Sequence, residues 1–349
     1  MSAIQLALIG AGAIGRTHID RIQRHPQLAL SAIADPSAAG KTLAQDLNIP
    51  WFASHQDLLE RTEPQGVIVA TPNATHVSVA CDCLARGIPV LVEKPIASTV
   101  AEAQELVDAS ARQNTPALIG HHRRHNPILH RAKEIIQSGQ LGQIVSATAL
   151  ATFRKPDGYF DVAWRRQPGG GPVLINLIHD IDMLRFLLGE IESVQALDSH
   201  AARGMDVEDT AAALLRFTSG ALGTVIVSDA ATAPWCWDFC AGEQDQYPRQ
   251  QVQSHFITGT HGSLSLPDLT LWHYPGERHW HAEMTRSQTM VHLADPYTRQ
   301  LEHFAAMITD QAAPLCSALD GLRTLQATLA IHEAAQTKQA VSCIAILNN

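Results

Sequence analysis

Short apolar runs alternate with longer mixed segments in the first third of the chain. Residues 4–9 and 28–34 are apolar runs of strand length, and residues 14–24 between them have the length and mixed polarity of a helix. The alternation continues with helix-length segments at 41–47, 56–61, 76–86 and 100–112 and strand-length runs at 67–70, 88–92 and 117–120. Such alternation is typical of a parallel sheet with helices on both faces. We therefore predict a doubly wound parallel α/β domain over residues 1–120.

The pattern changes after about residue 121, where longer strand-like stretches dominate. They fall at residues 144–152, 193–199, 211–217, 222–229, 253–258 and 263–266. The pair Ser219-Gly220 between two of them is a hairpin signal, which favours antiparallel pairing. Two helix-length segments, 300–309 and 319–337, follow. The second predicted domain, residues 121–349, is thus α/β with a large open, mostly antiparallel sheet, and its final helix is free to pack back on the first domain.

Composition and charge narrow the classes of function. Hydrophobic residues make up 46% of the 349 residues and charged residues 17%, as in globular proteins with a large core. The net charge of −9 lacks the basic excess that phosphate backbones select, so nucleic acid is not an expected partner. Six scattered cysteines fit neither a disulfide framework nor a zinc site, and the first apolar run is too short for a signal or a membrane span. We expect a cytoplasmic protein with no membrane partner.

A glycine-rich loop follows the first predicted strand. Gly10, Gly12 and Gly15 form a GxGxxG motif, whose glycines permit a tight turn, close approach of a pyrophosphate and close packing of helix on strand. Asp35 ends the second strand, where a carboxylate can accept hydrogen bonds from the adenosine ribose and repel a 2′-phosphate. These features predict a Rossmann domain that binds NAD, with NADP less favoured. The loop residues Ala13 and Ile14 are included in the predicted cofactor site.

Four further motifs carry a resemblance to a known family. They are Thr71-Pro-Asn73-Ala-Thr-His76, Glu93-Lys94-Pro95, Gly120-His-His-Arg-Arg-His-Asn-Pro127 and the segment from Gly169 to Asp182 that contains His179. In this order the motifs resemble the glucose–fructose oxidoreductase and inositol dehydrogenase (Gfo/Idh/MocA) family. The resemblance covers essentially the whole chain. It implies an NAD(P)-dependent oxidoreductase whose C-terminal sheet serves oligomerisation, here as a homodimer or homotetramer.

The resemblance also implies roles for individual residues. Lys94 matches the usual acid/base lysine, and its bond to Pro95 is commonly cis in relatives. Relatives often carry an aspartate four residues before the histidine that matches His179, but this chain has Ile175 there. Asn176 lies three residues before His179, on nearly the same helical face, and can hydrogen-bond a substrate hydroxyl. The expected catalytic residues are therefore Lys94, His179 and Asn176.

The remaining predicted contacts come from the same motifs and from the pair Trp164-Arg165, which resembles a family pair that touches the cofactor or the substrate. Expected cofactor contacts beyond the glycine loop and Asp35 are Thr71, Asn73, His76, Glu93, Lys94 and Arg165, with a surface role as the alternative for Arg165. Expected substrate contacts are His122, Arg123, Trp164, Asn176 and His179. No metal is expected, because neither a carboxylate nor a second histidine pair at ligand spacing accompanies the histidines of residues 121–125.

The predicted reaction is hydride transfer between NAD and a secondary alcohol or ketone of a small sugar, sugar derivative or cyclitol. One alternative is the same chemistry on a non-sugar substrate, a cyclic diol or an imine. The other is a catalytically silent NAD-binding regulator, which the missing aspartate at Ile175 suggests. The aromatic and polar segment 235–248 is interpreted either as a substrate lid or as an oligomer contact.

Overall fold

A computed structural model describes residues 3–344 of the chain. By compactness these residues divide into two units, which are described separately. Unit 1 contains residues 3–125 together with Pro296–Leu325, and unit 2 contains Asn126–Asp295 and residues 326–344. The first long stretch of unit 1 ends five residues after the boundary predicted at residue 120, and the chain later returns to unit 1 for thirty residues.

Unit 1 is built on a parallel sheet that, in the described residues, has six strands in the order β3-β2-β1-β4-β5-β6. The strands are β1 (Ile4–Ile9), β2 (Leu28–Ala34), β3 (Trp51–Phe52), β4 (Gly66–Val69), β5 (Val90–Val92) and β6 (Ala117–Ile119). The helices between them are α1 (Ala13–Arg24), α2 (Ala38–Asp46), α3 (His55–Arg61), α4 (His76–Leu84) and α5 (Val100–Gln113). The order reverses beside β1, which is where open α/β sheets form their ligand crevice.

The predicted alternation of strands and helices in unit 1 is confirmed, with one omission. The sequence prediction lacks β3, which pairs with the end of β2 through only two residues. Two residues are too few for a period-2 pattern to be recognised. Strands β4 and β5 and the last four residues of β1 are fully buried, which explains their continuous apolar runs.

Unit 2 contains a mostly antiparallel sheet, with strand order β14-β13-β12-β11-β7-β10-β9-β8-β15 among the described residues. Its strands are β7 (Ile144–Thr152), β8 (Ile191–Ser199), β9 (Thr210–Phe217), β10 (Leu222–Ser228), β11 (His255–Gly259), β12 (Gly262–Leu266), β13 (Thr270–His273), β14 (Thr285–Gln288) and β15 (Val341–Ser342). Its helices include α6 (Pro127–Gln137), α7 (Ile178–Leu188) and α8 (Trp237–Cys240). Two more helices follow, α9 (Pro296–Thr309) in unit 1 and α10 (Ala318–Thr337).

The predicted fold class is confirmed, but several elements of unit 2 were missed. Helix α6 was not predicted, although its sequence carries a start signal. Asn126 accepts a hydrogen bond from the amide of Ile128, and Pro127 occupies the first helical position. Strands β13, β14 and β15 are short and were not predicted. In the part of the chain that the structure describes, no helix has both the length and the apolar character needed to cross a membrane.

Candidate active site

The glycine loop of unit 1 has the geometry of a pyrophosphate cradle. Gly10 has φ +94°, and a Cβ there would lie 2.5 Å from the carbonyl oxygen of Ala70. A Cβ on Gly15 would lie 2.2 Å from the carbonyl oxygen of Gly10, so only glycine allows this packing of helix on strand. A Cβ on Gly12 would meet nothing within 4 Å, and Gly12 caps α1 without a side chain. The start of α1, including Ala13 and Ile14, thus presents backbone amides suited to an anion.

Asp35 fastens the end of β2 to this loop. Its carboxylate accepts hydrogen bonds from the Ala11 amide, at 2.7 Å, and from the amide and hydroxyl of Ser37. Burial alone would raise the pKa of Asp35, but these hydrogen bonds and the charge of Arg16 outweigh it and hold that pKa below its usual value. The carboxylate is therefore kept ionised beside the loop. The sequence prediction missed the influence of Arg16, which lies one residue past the motif.

Several predicted site residues meet at one edge of this sheet. Five neighbouring parallel strands are each followed by a predicted site residue or segment. These are Gly10 after β1, Asp35 after β2, Thr71 after β4, Lys94 after β5 and the segment 121–125 after β6. The carboxyl ends of parallel strands lie at the same edge, so the cofactor loop and the half-buried Lys94 belong to one crevice within unit 1.

Glu93 is held by a histidine that the sequence prediction overlooked. Nε2 of the fully buried His18 lies 2.7 Å from Oε1 of Glu93, and Oε2 of Glu93 accepts the Lys94 amide at 3.2 Å. Burial would raise the pKa of Glu93, but the hydrogen bond from His18 and the charges of His18, His122 and Lys94 together lower it. Glu93 is thus an anchor for the backbone of Lys94, and a cofactor contact by Glu93 stays a prediction. The Lys94–Pro95 peptide bond is cis.

His76 and its neighbours connect two of these strand ends. The buried His76 ring has its nitrogens 2.8 Å from the carbonyl oxygens of Pro95 and Thr71. These bonds tie the start of α4 to the loop that follows Lys94. Asn73 begins a single 3₁₀ turn and is half-buried, and the buried Thr71 hydroxyl has no partner in the described structure. An unsatisfied buried hydroxyl at this edge favours the predicted cofactor role of Thr71.

The segment after β6 brings its polar side chains into the interior. His122 and Arg123 are 4% and 5% exposed, and the His122 ring stacks on Tyr297 of α9 with 4.2 Å between centroids and 14° between planes. Tyr297 also meets His18 edge-on. Neither Tyr297 nor His18 was predicted. His18 could have been found, because it shares the buried face of α1 with Gly15 and Ile22, where a polar residue is unexpected.

In unit 2, Asn176 and His179 lie on one continuous helical segment. The segment opens with a π-helical stretch, Val173–Leu177, in which the Ile178 amide reaches the carbonyl of Val173, five residues earlier. Asn176 is half-buried with its Oδ1 unpartnered, and His179 is buried in the first turn of α7. The prediction treated this segment as a regular α-helix. Single π turns of this kind occur frequently at functional sites.

Trp164 and Arg165 occupy a 3₁₀ turn, Ala163–Arg166, of unit 2. Trp164 is 49% exposed, which leaves it available to a ligand. The guanidinium of Arg165 lies 4.0 Å from the Tyr159 ring centroid and donates to the Tyr159 carbonyl at 2.8 Å. These contacts fix the guanidinium of Arg165, and its predicted cofactor contact stays open.

The segment 235–248 is partly packed into unit 2. Cys236, Trp237 and Cys240 are buried, and Asn126 donates to Glu243 at 2.6 Å. Its exposed residues are Trp235, at 48%, Gly242, Asp245, Gln246 and Pro248. Neither interpretation of this segment, as a lid or as an oligomer contact, is decided by the packing.

Comparison with known proteins agrees with this geometry. Residues 4–121 match the family model described as "Oxidoreductase family, NAD-binding Rossmann fold", and residues 129–265 match the GFO/IDH/MocA C-terminal domain. The chain belongs to the Gfo/Idh/MocA oxidoreductase family. The predicted resemblance is thereby confirmed, and so is the NAD-binding Rossmann domain.

Individual relatives are moderately to distantly similar. The chain is 32% identical over 190 residues to rhizopine catabolism protein MocA of Rhizobium meliloti, a match covering 54% of this chain and 59% of that protein. It is 25% identical to scyllo-inositol 2-dehydrogenase (NAD(+)) of Bacillus subtilis, over 94% of this chain and 92% of the relative. A solved oxidoreductase from Agrobacterium radiobacter, in complex with NAD+, L-tartaric acid and magnesium, has a TM-score of 0.81 at 20% identity over 99% of this chain and 100% of its own, which supports the fold alone.

Proposed function

We propose that this protein transfers a hydride between NAD and a secondary alcohol or ketone of a small sugar, sugar derivative or cyclitol. The observation that carries the proposal is the single sheet edge in unit 1. There the glycine loop, the ionised Asp35 and the anchored Lys94 follow neighbouring parallel strands. When bound, the nicotinamide supplies the hydride acceptor or donor.

Residues of this chain would accept or donate the proton and bind the substrate. In the oxidation direction, the unprotonated amine of Lys94 or imidazole of His179 would accept the proton of the substrate hydroxyl. Asn176 would hydrogen-bond a substrate hydroxyl through its unpartnered Oδ1. His122, Arg123 and Trp164 would line the substrate, with the His122 ring oriented by Tyr297. Polyhydroxylated substrates suit such a set of hydrogen-bonding side chains, and the relative named above acts on scyllo-inositol.

A substrate panel tests the proposal. Sugars, cyclitols, cyclic diols and an imine are mixed with NAD+ or NADH, and the nicotinamide absorbance is followed. Turnover of a sugar or cyclitol supports the proposal, whereas turnover of only the diol or imine moves it to the alternative substrate class. NAD binding without turnover of any compound supports the silent regulator that Ile175 suggests.

We further propose that the sheet of unit 2 joins two or four copies of the chain. Leu197, Leu214, Leu222, Phe256 and Trp272 are 39–69% exposed. Their registers place them all on one face of the sheet. An exposed apolar face of this kind is typical of protein–protein contact. Light scattering should give a dimer or tetramer that Leu214→Asp converts to monomer, and a monomeric unmutated protein contradicts the proposal.

The predicted cytoplasmic location is also a proposal. The structure shows no disulfide at any of the six cysteines, all of which lie within the described residues. Free thiols persist in a reducing compartment. Fractionation of cells that produce the protein tests this location directly.

A further inference from the structure

The helical segment that carries Asn176 and His179 lacks a cap of its own. Its N-cap residue is Pro172, which offers no side-chain hydrogen bond. The cap comes instead from Glu208, in the connection between β8 and β9, whose Oε1 accepts the Val173 amide at 3.1 Å. A carboxylate in this position satisfies one of the unpaired amides at the helix start and is favoured by the helix dipole.

Gly171 makes room for this distant cap. A Cβ on Gly171 would lie between 2.2 and 2.4 Å from the carboxylate atoms of Glu208. No side chain can therefore be accommodated at residue 171 while Glu208 keeps its place. The three consecutive glycines have different surroundings, since a Cβ on Gly169 meets nothing and one on Gly170 meets the carbonyl of Trp164.

The capping carboxylate is expensive to bury. Glu208 is 9% exposed, and Nε2 of His332 in α10 lies 3.9 Å from its Oε1. Burial raises the pKa of Glu208, and Asp198 in β8 adds to this, while His332 and the Val173 amide act in the opposite direction without cancelling the rise. A neutral side chain of the same shape would cost less to bury. A costly group kept at such a place suggests a functional reason.

We propose that Glu208 is a positioning residue that sets the orientation of Asn176 and His179, a role that rests on the proposed oxidoreductase function. The residue that Glu208 holds through its amide, Val173, is also the residue whose carbonyl accepts the Ile178 amide and so closes the π turn. A fixed position of Val173 therefore holds the π turn in one conformation. This conformation sets the angle between Asn176 and His179 around the helix axis.

Two substitutions separate the carboxylate's hydrogen bond from its charge. Glu208→Leu removes the acceptor, and we expect kcat to fall about 10- to 100-fold, as for a misplaced catalytic group, with NAD affinity unchanged. Glu208→Gln keeps an acceptor for the Val173 amide, so kcat should fall by only a few-fold. The control is Glu190→Gln, which alters a carboxylate paired with Arg185 near the other end of the same helix and should leave kcat within about two-fold.

Stability against pH distinguishes positioning from an ordinary structural role. A carboxyl whose pKa is raised in the folded protein favours folding when protonated, and this contribution is lost as pH rises through that pKa. Glu208→Gln stays neutral, so its thermal midpoint should equal that of the unmutated protein in acid and exceed it at alkaline pH. Higher stability combined with lower kcat supports the proposal. A Glu208→Gln variant that loses stability and kcat together at pH 8 overturns it.

Hydrogen exchange gives a readout that needs no substrate. The Val173 amide should exchange about 10-fold faster in Glu208→Leu than in the unmutated protein or in Glu190→Gln. The NMR signals of the His179 ring should shift in Glu208→Leu alone. If these changes occur but no compound of the substrate panel is turned over, the capping role of Glu208 is supported and the proposed reaction is contradicted. If the amide and the ring are unaffected, or if Glu208→Leu keeps full kcat, Glu208 does not position this helix.

Discussion

Replacing His18 by leucine should strongly destabilise unit 1. His18 is fully buried and makes a 2.7 Å hydrogen bond to Glu93, which is itself 4% exposed. Leucine has a similar volume but leaves the carboxylate in the interior without that bond. The free energy of unfolding should fall by about 3 kcal/mol at pH 7.5. This value is at the upper end of the cost of losing a hydrogen bond to a charged group and at the lower end of the cost of breaking a buried ion pair.

The loss of unfolding free energy in His18→Leu should become smaller as the pH falls. His18 helps to hold the pKa of Glu93 below its usual value, so this carboxyl contributes stability above its unfolded pKa and loses it as pH falls through the lower, folded pKa. Without His18, burial dominates and the pKa of Glu93 rises. Glu93 in the variant is then protonated at moderately acidic pH, which relieves the buried charge. The difference between the two proteins should therefore narrow from pH 7.5 to pH 5.

Native-state hydrogen exchange of the slowest amides in β4 and β5 measures this difference within unit 1. The matched control is His55→Leu, because His55 makes a hydrogen bond of similar length, 2.8 Å, to the half-exposed Asp82. The control should lose less than about 1 kcal/mol, as exposed pairs do. Equal losses in the two variants, or a loss in His18→Leu that does not change with pH, would refute the reasoning.

Three other predictions concern the cofactor and the proton. NAD should bind at least several-fold more tightly than NADP, and Asp35→Ala should narrow that gap in calorimetric titrations; equal affinities in the unmutated protein would contradict the assignment. Lys94→Ala should lower kcat about 10²- to 10⁴-fold with NAD binding intact; retained activity would assign the proton to His179, and lost NAD binding would make Lys94 a cofactor residue. Ile175→Asp should raise the pKa of His179 and move the acid limb of kcat/KM to higher pH; an unmoved limb means that His179 does not titrate in the reaction.

The local patterns of the sequence determined the architecture of unit 1 and its cofactor loop. Strand and helix periodicity depend on neighbours two to four residues apart, so the alternation over the first 120 residues could be read directly. The glycine motif and Asp35 lie within one βαβ unit, so their predicted role in NAD binding could be inferred from that local segment alone. Ile175 could likewise be recognised as a departure, because it lies within the same short motif as His179.

Only the tertiary structure decided how these residues are held in place. Glu93 receives its hydrogen bond from His18, 75 positions away, and the cap of Val173 comes from Glu208, 35 positions away. Tyr297 meets His122 because the chain returns to unit 1 after β14. Such pairings follow from strand order and helix packing, which bring together residues that no periodicity relates. Local motifs were therefore enough to propose residues for the candidate site, and helix periodicity was enough to notice the buried His18. The distant pairings that fix the protonation and orientation of these residues could not be predicted.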